Sequence, residues 1–320
     1  MGEAIITRAG GGEADTVIPI TPGYHTILVT ARDYENKILQ NFKIKCKDGS
    51  KTYEYTTNSK GQTMFVCNSG AANICLDNNI NGIQYLDFDT TWKNVDAPVG
   101  LTSRIDINAT KSSTSFYEFT NNKKFGLMQN RKCDIILVGG GGSGQFMHSS
   151  SGKPCGGGGG AGYLNEYNDQ TLFGIYDFIV GAGGAINYIN DRTSTNGLTG
   201  GTSYIANTQY SAIGGQGGSS NKAIGGLGNG GAGGPVMGSN GGNSTVDFAG
   251  GGGGSGGGYT SNEIKGIGGT PYGGNGAYLW GSGESGTRGG GGGGGGYNSS
   301  QSLNPGRGGD GLMRINIKYD

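Results

Sequence analysis

From Gly139 onward roughly one residue in three is glycine, and all but 11 of the chain's 73 glycines lie there. Such a segment cannot build an ordinary hydrophobic core. Glycine has no side chain to bury, and fixing each backbone residue costs about 1–2 kcal/mol of entropy, with glycine losing the most. The compensation has to come from the backbone itself. Chains without Cβ atoms can approach closely enough to exchange N–H and C=O bonds, each worth about 0.5–1.5 kcal/mol net. Collagen is excluded, because its glycines fall at every third position among abundant proline, whereas Gly250 to Gly254 and Gly289 to Gly296 run without interruption. A disordered linker is excluded by Tyr163-Leu164, Phe178-Ile179-Val180, Tyr204-Ile205 and Leu312-Met313-Arg314-Ile315, which have core character.

The 320 residues leave room for two domains, and glycine use divides them near residue 138. Charge is balanced, 23 basic against 23 acidic residues, so no basic surplus is available for phosphate backbones or anionic lipid. Neither nucleic-acid binding nor membrane insertion is expected. No charged-then-apolar leader opens the chain, no apolar run approaches ~20 residues, and Ile6 stands where an N-myristoylation motif requires Ser or Thr. Synthesis in a cytoplasm is therefore expected. The five cysteines, Cys46, Cys67, Cys75, Cys133 and Cys155, are odd in number and contain no C-x-x-C, which speaks against a disulfide framework and a zinc site. Buried free thiols are expected.

Residues 21–110 alternate and turn like an immunoglobulin-like β-sandwich. Seven strands are expected, at residues 26–30, 42–46, 52–57, 63–67, 73–76, 85–89 and 103–107, with turn signals such as Lys47-Asp48-Gly49-Ser50 and Asn58-Ser59-Lys60-Gly61 between them. Asp87, Asp89 and Asp106 could be imagined as a calcium cluster. Alternation instead puts each on the outer, solvated face of its strand. Residues 111–132 read as a polar connector with one strand-like patch at 115–119, and residues 133–320 as the glycine-rich domain.

Several motifs fail on context. Gly139, Gly141 and Gly144 satisfy G-x-G-x-x-G behind an apolar strand, with Glu166 standing 22 residues beyond Gly144. A dinucleotide site needs a helix at the third glycine, and Gln145 to Gly160 contain Pro154 and five consecutive glycines. His25 and His148 are too far apart in sequence to suggest a triad or metal site, and His148 reads as an exposed loop residue. Arg288 and Arg307 beside glycines are too few for an RNA-binding tract. Glu166, Asp169 and Asp177 form the only local carboxylate cluster for a glycan hydrolase. No cofactor, no metal and no enzymatic activity are expected.

Residues 42–66, with Asp48-Gly49 and then Tyr55 to Gln62, resemble the prealbumin-like modules that serve as spacers in surface and fibre proteins. The glycine-rich half has an ordered series of features: a strand at 134–138, Gly156 to Leu164, Tyr176 to Gly184, Gly200 to Tyr204, and Gly308 to Ile315. This order resembles the glycine-rich domain of phage tail fibres and of the anaplastic-lymphoma-kinase receptor family. It is similar in principle to the glycine-rich adhesins at the fibre tips of T-even phages. The resemblance implies an all-β chain with a polyglycine II domain, a bundle of left-handed helices with three residues per turn framed by β-strands. Residues 165–173 and 271–288 have no counterpart in the shared pattern.

The opening Ala4-Ile5-Ile6-Thr7-Arg8 before Gly10-Gly11-Gly12 resembles the start of tail and fibre proteins from phages of Gram-positive hosts. It implies that residues 1–20, through Ile5, Ile6 and Arg8, attach to other virion proteins. A virion protein presenting loops to a host-surface polysaccharide or protein receptor is then the expected function. It would be made in the host cytoplasm, released on lysis, and homo-oligomeric, with a trimer favoured by analogy with fibres. The loops most suited to contact carry Tyr272, Asn275, Tyr278, Trp280 and Glu284, and Tyr188, Asn190 and Arg192, because Tyr and Trp with Asn make adaptable surfaces and can stack on sugars. Tyr278 and Trp280 could equally cap the bundle. The other reading is a purely architectural head-fibre, decoration or baseplate protein.

Overall fold

A strand places successive side chains on opposite faces, so an alternating stretch buries one face only. The computed structural model describes residues 25–80, 82–147, 156–187, 189, 194–220, 228–229, 285–286, 288–290, 292, 295–298 and 301–319, and all regular structure among them is β. The chain divides into two units, Met1–Thr114 with Gly126–Gln129, and Ser115–Phe125 with Asn130–Asp320.

Unit 1 holds β1 (His25–Arg32), β2 (Lys43–Asp48), β3 (Lys51–Thr56), β4 (Gln62–Cys67), β5 (Ala71–Leu76), β6 (Thr91–Asp96) and β7 (Thr102–Asn108). They form a three-stranded sheet, β7-β1-β4, and a four-stranded sheet, β3-β2-β5-β6. β1 pairs antiparallel with β4, Ile27 opposite Phe65, and parallel with β7, Val29 opposite Ile105. Ile27, Val29 and Phe65 from one sheet and Ile44, Ile74 and Leu76 from the other join one buried cluster. Full burial of each such side chain contributes about 1.5–3 kcal/mol, which is what holds the two sheets over a common core.

Six of the expected strands coincide with β1–β5 and β7. β6 is additional: in Thr91–Asp96 Val95 is buried while Trp92 is 48% exposed, so this outermost strand of its sheet carries little apolar signal. The expected strand at 85–89 is broken, because Ile83–Tyr85 and Phe88–Asp89 are separate short strands. That break corrects the placement of Asp87. It is fully buried rather than solvated, since alternation does not carry across Leu86 and Asp87. Its carboxylate accepts from the Tyr34 hydroxyl (3.1 Å) and the N–H groups of Met128 (2.9 Å) and Gln129 (3.2 Å). Asp106 is exposed as expected.

Two other carboxylates tie loops. Asp48 accepts from the N–H of Asn68 (2.7 Å), the N–H of Ser69 (3.2 Å) and the Ser69 hydroxyl. Asp89 accepts from the N–H of Ser113 (2.9 Å) and the hydroxyls of Ser112 and Ser113 (3.0 Å each). Burial alone would raise both acids, yet these hydrogen bonds favour the ionised form and hold both below the usual carboxylate range. A group depressed in the folded state contributes stability that is present above its unfolded pKa, about 3.9 for Asp, and lost as pH falls through the folded value. The melting temperature of unit 1 is therefore expected to be flat from neutral pH to about 5 and to fall below about 4. Thermal scans between pH 7 and 3 check this, and an unchanged midpoint at pH 3 contradicts it.

Unit 2 is framed by one sheet, ordered β8-β13-β9-β10-β11-β12. Its strands are β8 (Phe116–Phe119), β9 (Lys123–Val138), β10 (Leu164–Ile179), β11 (Ser203–Ile205), β12 (Ser211–Ala212) and β13 (Leu312–Lys318). Ile135 of β9 faces Ile315 of β13 across an antiparallel pair, and both are fully buried. Glu118 faces Arg314 on the neighbouring pair and accepts from its Nε at 2.8 Å. β9 is sixteen residues long, so residues 123–132 are strand where the sequence reads as a polar connector. β10 is also sixteen residues long and occupies the insert at 165–173, with Phe173 61% exposed.

The strands run on into glycine segments. β9 continues into 139–145, which is buried over Gly139 to Gln145. The N–H groups of Gly139, Gly140 and Gly141 donate to the carbonyls of Tyr163 (2.9 Å), Gly201 (2.9 Å) and Gly309 (2.8 Å). Those of Gly142, Ser143 and Gly144 donate to Gly160, Leu198 and Gly306, each three residues back along the same three neighbours. The carbonyls of Gly140, Gly141 and Gly142 accept from Gly215, Gly184 and Gly292, and that of Ser143 from Gly218, three residues beyond Gly215. The segment is thus ringed by six others, three that it donates to and three that donate to it.

At its glycines this ring excludes side chains. A Cβ on Gly139, Gly140, Gly141 or Gly142 would stand 2.1–2.2 Å from the carbonyl oxygen of Ile213, Ala182, Gly290 or Gln216, respectively. The glycine hydrogen in that place points at the oxygen as a weak Cα–H···O contact.

Candidate functional site

In several outer segments of unit 2 a residue faces out at every third position, with Leu198 and Ile186 exposed in addition. Asn196, Thr199 and Thr202 are exposed, as are Asn304, Arg307 and Asp310, and Ala182 and Ala185. Ile213 and Gln216 are exposed and Ser219 partly so, while Gly214, Gly215 and Gly218 between them are buried. The cause is the hydrogen-bond period: a backbone that returns to the same neighbour after three residues also returns its side chains to the same face.

Two of these rows lie side by side, because Gly197 N–H donates to Gly218 (2.8 Å) and Gly200 N–H to Gly215 (2.9 Å). Between them runs an open groove of about 340 Å³, lined by Tyr163, Asn196, Thr199, Ile213, Gln216 and Ser219. Amides and hydroxyls both donate and accept, and Tyr163 and Ile213 add apolar surface. Among the described residues that line the groove there is no carboxylate, imidazole, amine or guanidinium. Its chemistry suits an uncharged polar ligand held by hydrogen bonds.

The rows are anchored as well as exposed. The Asp310 carboxylate accepts from Gly183 N–H (2.7 Å) and pairs with Arg307 (2.5 Å), tying the 304–310 row to the 181–184 segment.

The expected contact residues Tyr188, Asn190, Arg192, Tyr272, Asn275, Tyr278, Trp280 and Glu284, and the expected attachment residues Ile5, Ile6 and Arg8, lie outside the described residues, as do His148 and Cys155. The flanks of both loops are described. Asn187 accepts through its carbonyl from the Thr195 hydroxyl and donates its side-chain amide to the Asn196 carbonyl at 2.9 Å. This clamp joins Asn187 to Thr195 and Asn196, the latter at the groove. Ile189 is 65% exposed. Directly after Glu284, the Ser285 hydroxyl accepts from Arg307 N–H (3.3 Å) and Gly286 N–H donates to the Arg307 carbonyl (2.9 Å). Ser285 and Gly286 are thereby bonded to the 304–310 row.

The glycines of the apparent dinucleotide fingerprint have other work. Gly139, Gly141 and Gly144 each donate their N–H to a carbonyl, so none of the three is free to cradle a phosphate. Of the carboxylate cluster, Asp169 pairs with Lys318 (2.6 Å) and Asp177 with Lys124 (3.5 Å). Lys318 also meets Asp134 at 2.8 Å and holds that acid below the usual range. Among the described residues no group of three His, Cys, Asp or Glu side chains is arranged to hold a metal ion. Cys46, Cys67, Cys75 and Cys133 are buried, and no disulfide joins them among the described residues.

The sequence does carry the signal for the outward rows. Ile213-Gly-Gly-Gln216-Gly-Gly-Ser219 is a strict three-residue repeat, and Asn304, Arg307 and Asp310 keep the same spacing. Measured against collagen's period over the whole half, the repeat is hidden; it appears only segment by segment.

A family model described as a glycine-rich domain matches residues 120–318, more than half of the chain. No curated protein matches it. The chain belongs to this glycine-rich domain family.

Proposed function

We propose, from membership of the glycine-rich domain family, that this chain is a phage virion protein of the fibre or tail type, which presents loops of a rigid domain to a host-surface receptor. In this reading the glycine segments form a polyglycine II bundle, and the observation that carries it is the three-residue hydrogen-bond period around Gly139 to Gln145. A backbone bonded to six neighbours is a stiff platform, and binding residues are commonly loops on such platforms. Unit 1 acts as an immunoglobulin-like or prealbumin-like spacer, which its two sheets over one core support. Residues 1–20 attach to other virion proteins, and the assembly is a homo-oligomer, as a trimer.

The receptor is a bacterial surface polysaccharide or protein. Tyr272, Asn275, Tyr278, Trp280 and Glu284 in one loop and Tyr188, Asn190 and Arg192 in another make the contacts, and the groove lined by amides and hydroxyls extends the surface a polysaccharide would meet. Fluorescently labelled protein is expected to decorate host cells. Replacing residues 271–284 by a short linker is expected to reduce this decoration at least tenfold while both thermal transitions persist. Undiminished decoration after the trim removes the site assignment. A position on a capsid lattice in imaged particles, with no cell binding, replaces the whole reading with a purely architectural one.

A further inference from the structure

We propose that Cys46 and Cys67 are a built-in oxidation site, which closes into a disulfide between the two sheets of unit 1 when the protein meets a small-molecule disulfide oxidant. Cys46 lies on β2 of the four-stranded sheet and Cys67 ends β4 of the three-stranded sheet. Their side chains meet across the core with Sγ–Sγ at 3.6 Å, and both residues are fully buried. A disulfide needs about 2.05 Å, so each sulfur moves by less than about 1 Å, a displacement within reach of side-chain rotation.

The two strand ends are already held together. Asp48, two residues after Cys46, accepts from the N–H groups of Asn68 and Ser69, which directly follow Cys67. This tie fixes the backbone spacing on which the covalent link depends. It also separates this pair from an incidental meeting of two thiols in a mobile loop.

The reaction balances as two successive exchanges. The thiolate of one cysteine attacks a sulfur of oxidised glutathione, forming a mixed disulfide and releasing one glutathione thiolate. The second cysteine then loses its proton and attacks the protein sulfur of that mixed disulfide, releasing the second glutathione. Two electrons and two protons pass from the cysteines to the oxidant. The hydrogen bond shared with Cys67, in which either sulfur can donate, and burial push the Cys46 thiol up. Either cysteine can make the first attack.

The link would constrain the unfolded chain over the span from Cys46 to Cys67 and raise the thermal transition of unit 1 by about 10 °C or more. It needs nothing from the proposed virion role. In that role it would distinguish the reduced protein in the cell from the oxidised protein after release.

The test uses the full chain, reduced and then incubated with oxidised glutathione. Intact mass is expected to fall by ~2 Da, for the two hydrogens removed. A non-reducing peptide map should join the peptides carrying Cys46 and Cys67, and the unit 1 transition should rise. Cys67→Ala should abolish both the link and the rise. Should that variant not fold, the peptide map of the unaltered chain decides alone. Free, alkylatable Cys46 and Cys67 after prolonged oxidation, a persistent glutathione adduct, or a link through another cysteine would overturn the proposal.

Discussion

Gly141→Ala is expected to unfold unit 2 at temperatures where the unaltered chain is folded, at a cost of about 3 kcal/mol or more. The added Cβ would stand 2.1 Å from the Gly290 oxygen, 2.5 Å from the Gly290 carbonyl carbon and 2.8 Å from the Gly289 oxygen. None of these atoms belongs to a side chain that could rotate away. Relief therefore requires a segment to shift, and the segments are bonded to one another: Gly141 donates to Gly309 and accepts from Gly184, while Gly309 donates to Gly290. Moving one breaks the bonds of the next. Gly70→Ala is the matched control, since a Cβ there meets only His25 Cε1 at 4.0 Å. It should change stability by less than about 0.5 kcal/mol. Calorimetry resolving two transitions, with amide exchange read at Gly139 to Ser143, checks the pair. A Gly141→Ala protein with an unaltered unit 2 transition would refute the close-packed account of the bundle.

The second large effect is expected in unit 1. Asp87→Ala should cost about 3 kcal/mol, because it leaves the N–H groups of Met128 and Gln129 and the hydroxyl of Tyr34 without this acceptor in a buried site. Asp87→Asn keeps one acceptor oxygen and should cost about half as much. Asp106→Ala supplies the comparison: Asp106 is exposed, and the bond it receives from Lys93 goes to its backbone carbonyl, which the substitution keeps. It should stay within about 0.5 kcal/mol of the unaltered chain. Urea midpoints at constant slope measure all three, and equal midpoints for Asp87→Ala and Asp106→Ala would end the argument.

Much of unit 1 is legible in the sequence because its strands bury one face. Ile44 and Cys46 alternate with Lys43, Lys45 and Lys47 and are found inside. Legibility fails where that cause is absent. β6 buries too little for its pattern to be read, and the break at Leu86 and Asp87 puts an acid inward where alternation would put it out. In the glycine half, composition indicates that backbone must pair with backbone. It does not reveal which segments pair, since Gly139 is bonded to Tyr163 and Gly140 to Gly201, partners set by the topology of the framing sheet. The candidate loops are legible only as interruptions of glycine, a signal that marks departure from the bundle without specifying a shape. The groove was missed for a different reason: Asn196, Thr199, Gln216 and Ser219 look like ordinary linker residues until the three-residue period aligns them.

That period also governs how such a domain can change in length. A single residue inserted between Ile213 and Ser219 would turn every later side chain by about 120°, driving Gln216 or Ser219 into carbonyl oxygens that only glycine tolerates. Three inserted residues would restore the phase. The bonded segments therefore have a structural reading frame, in which length is counted in triplets.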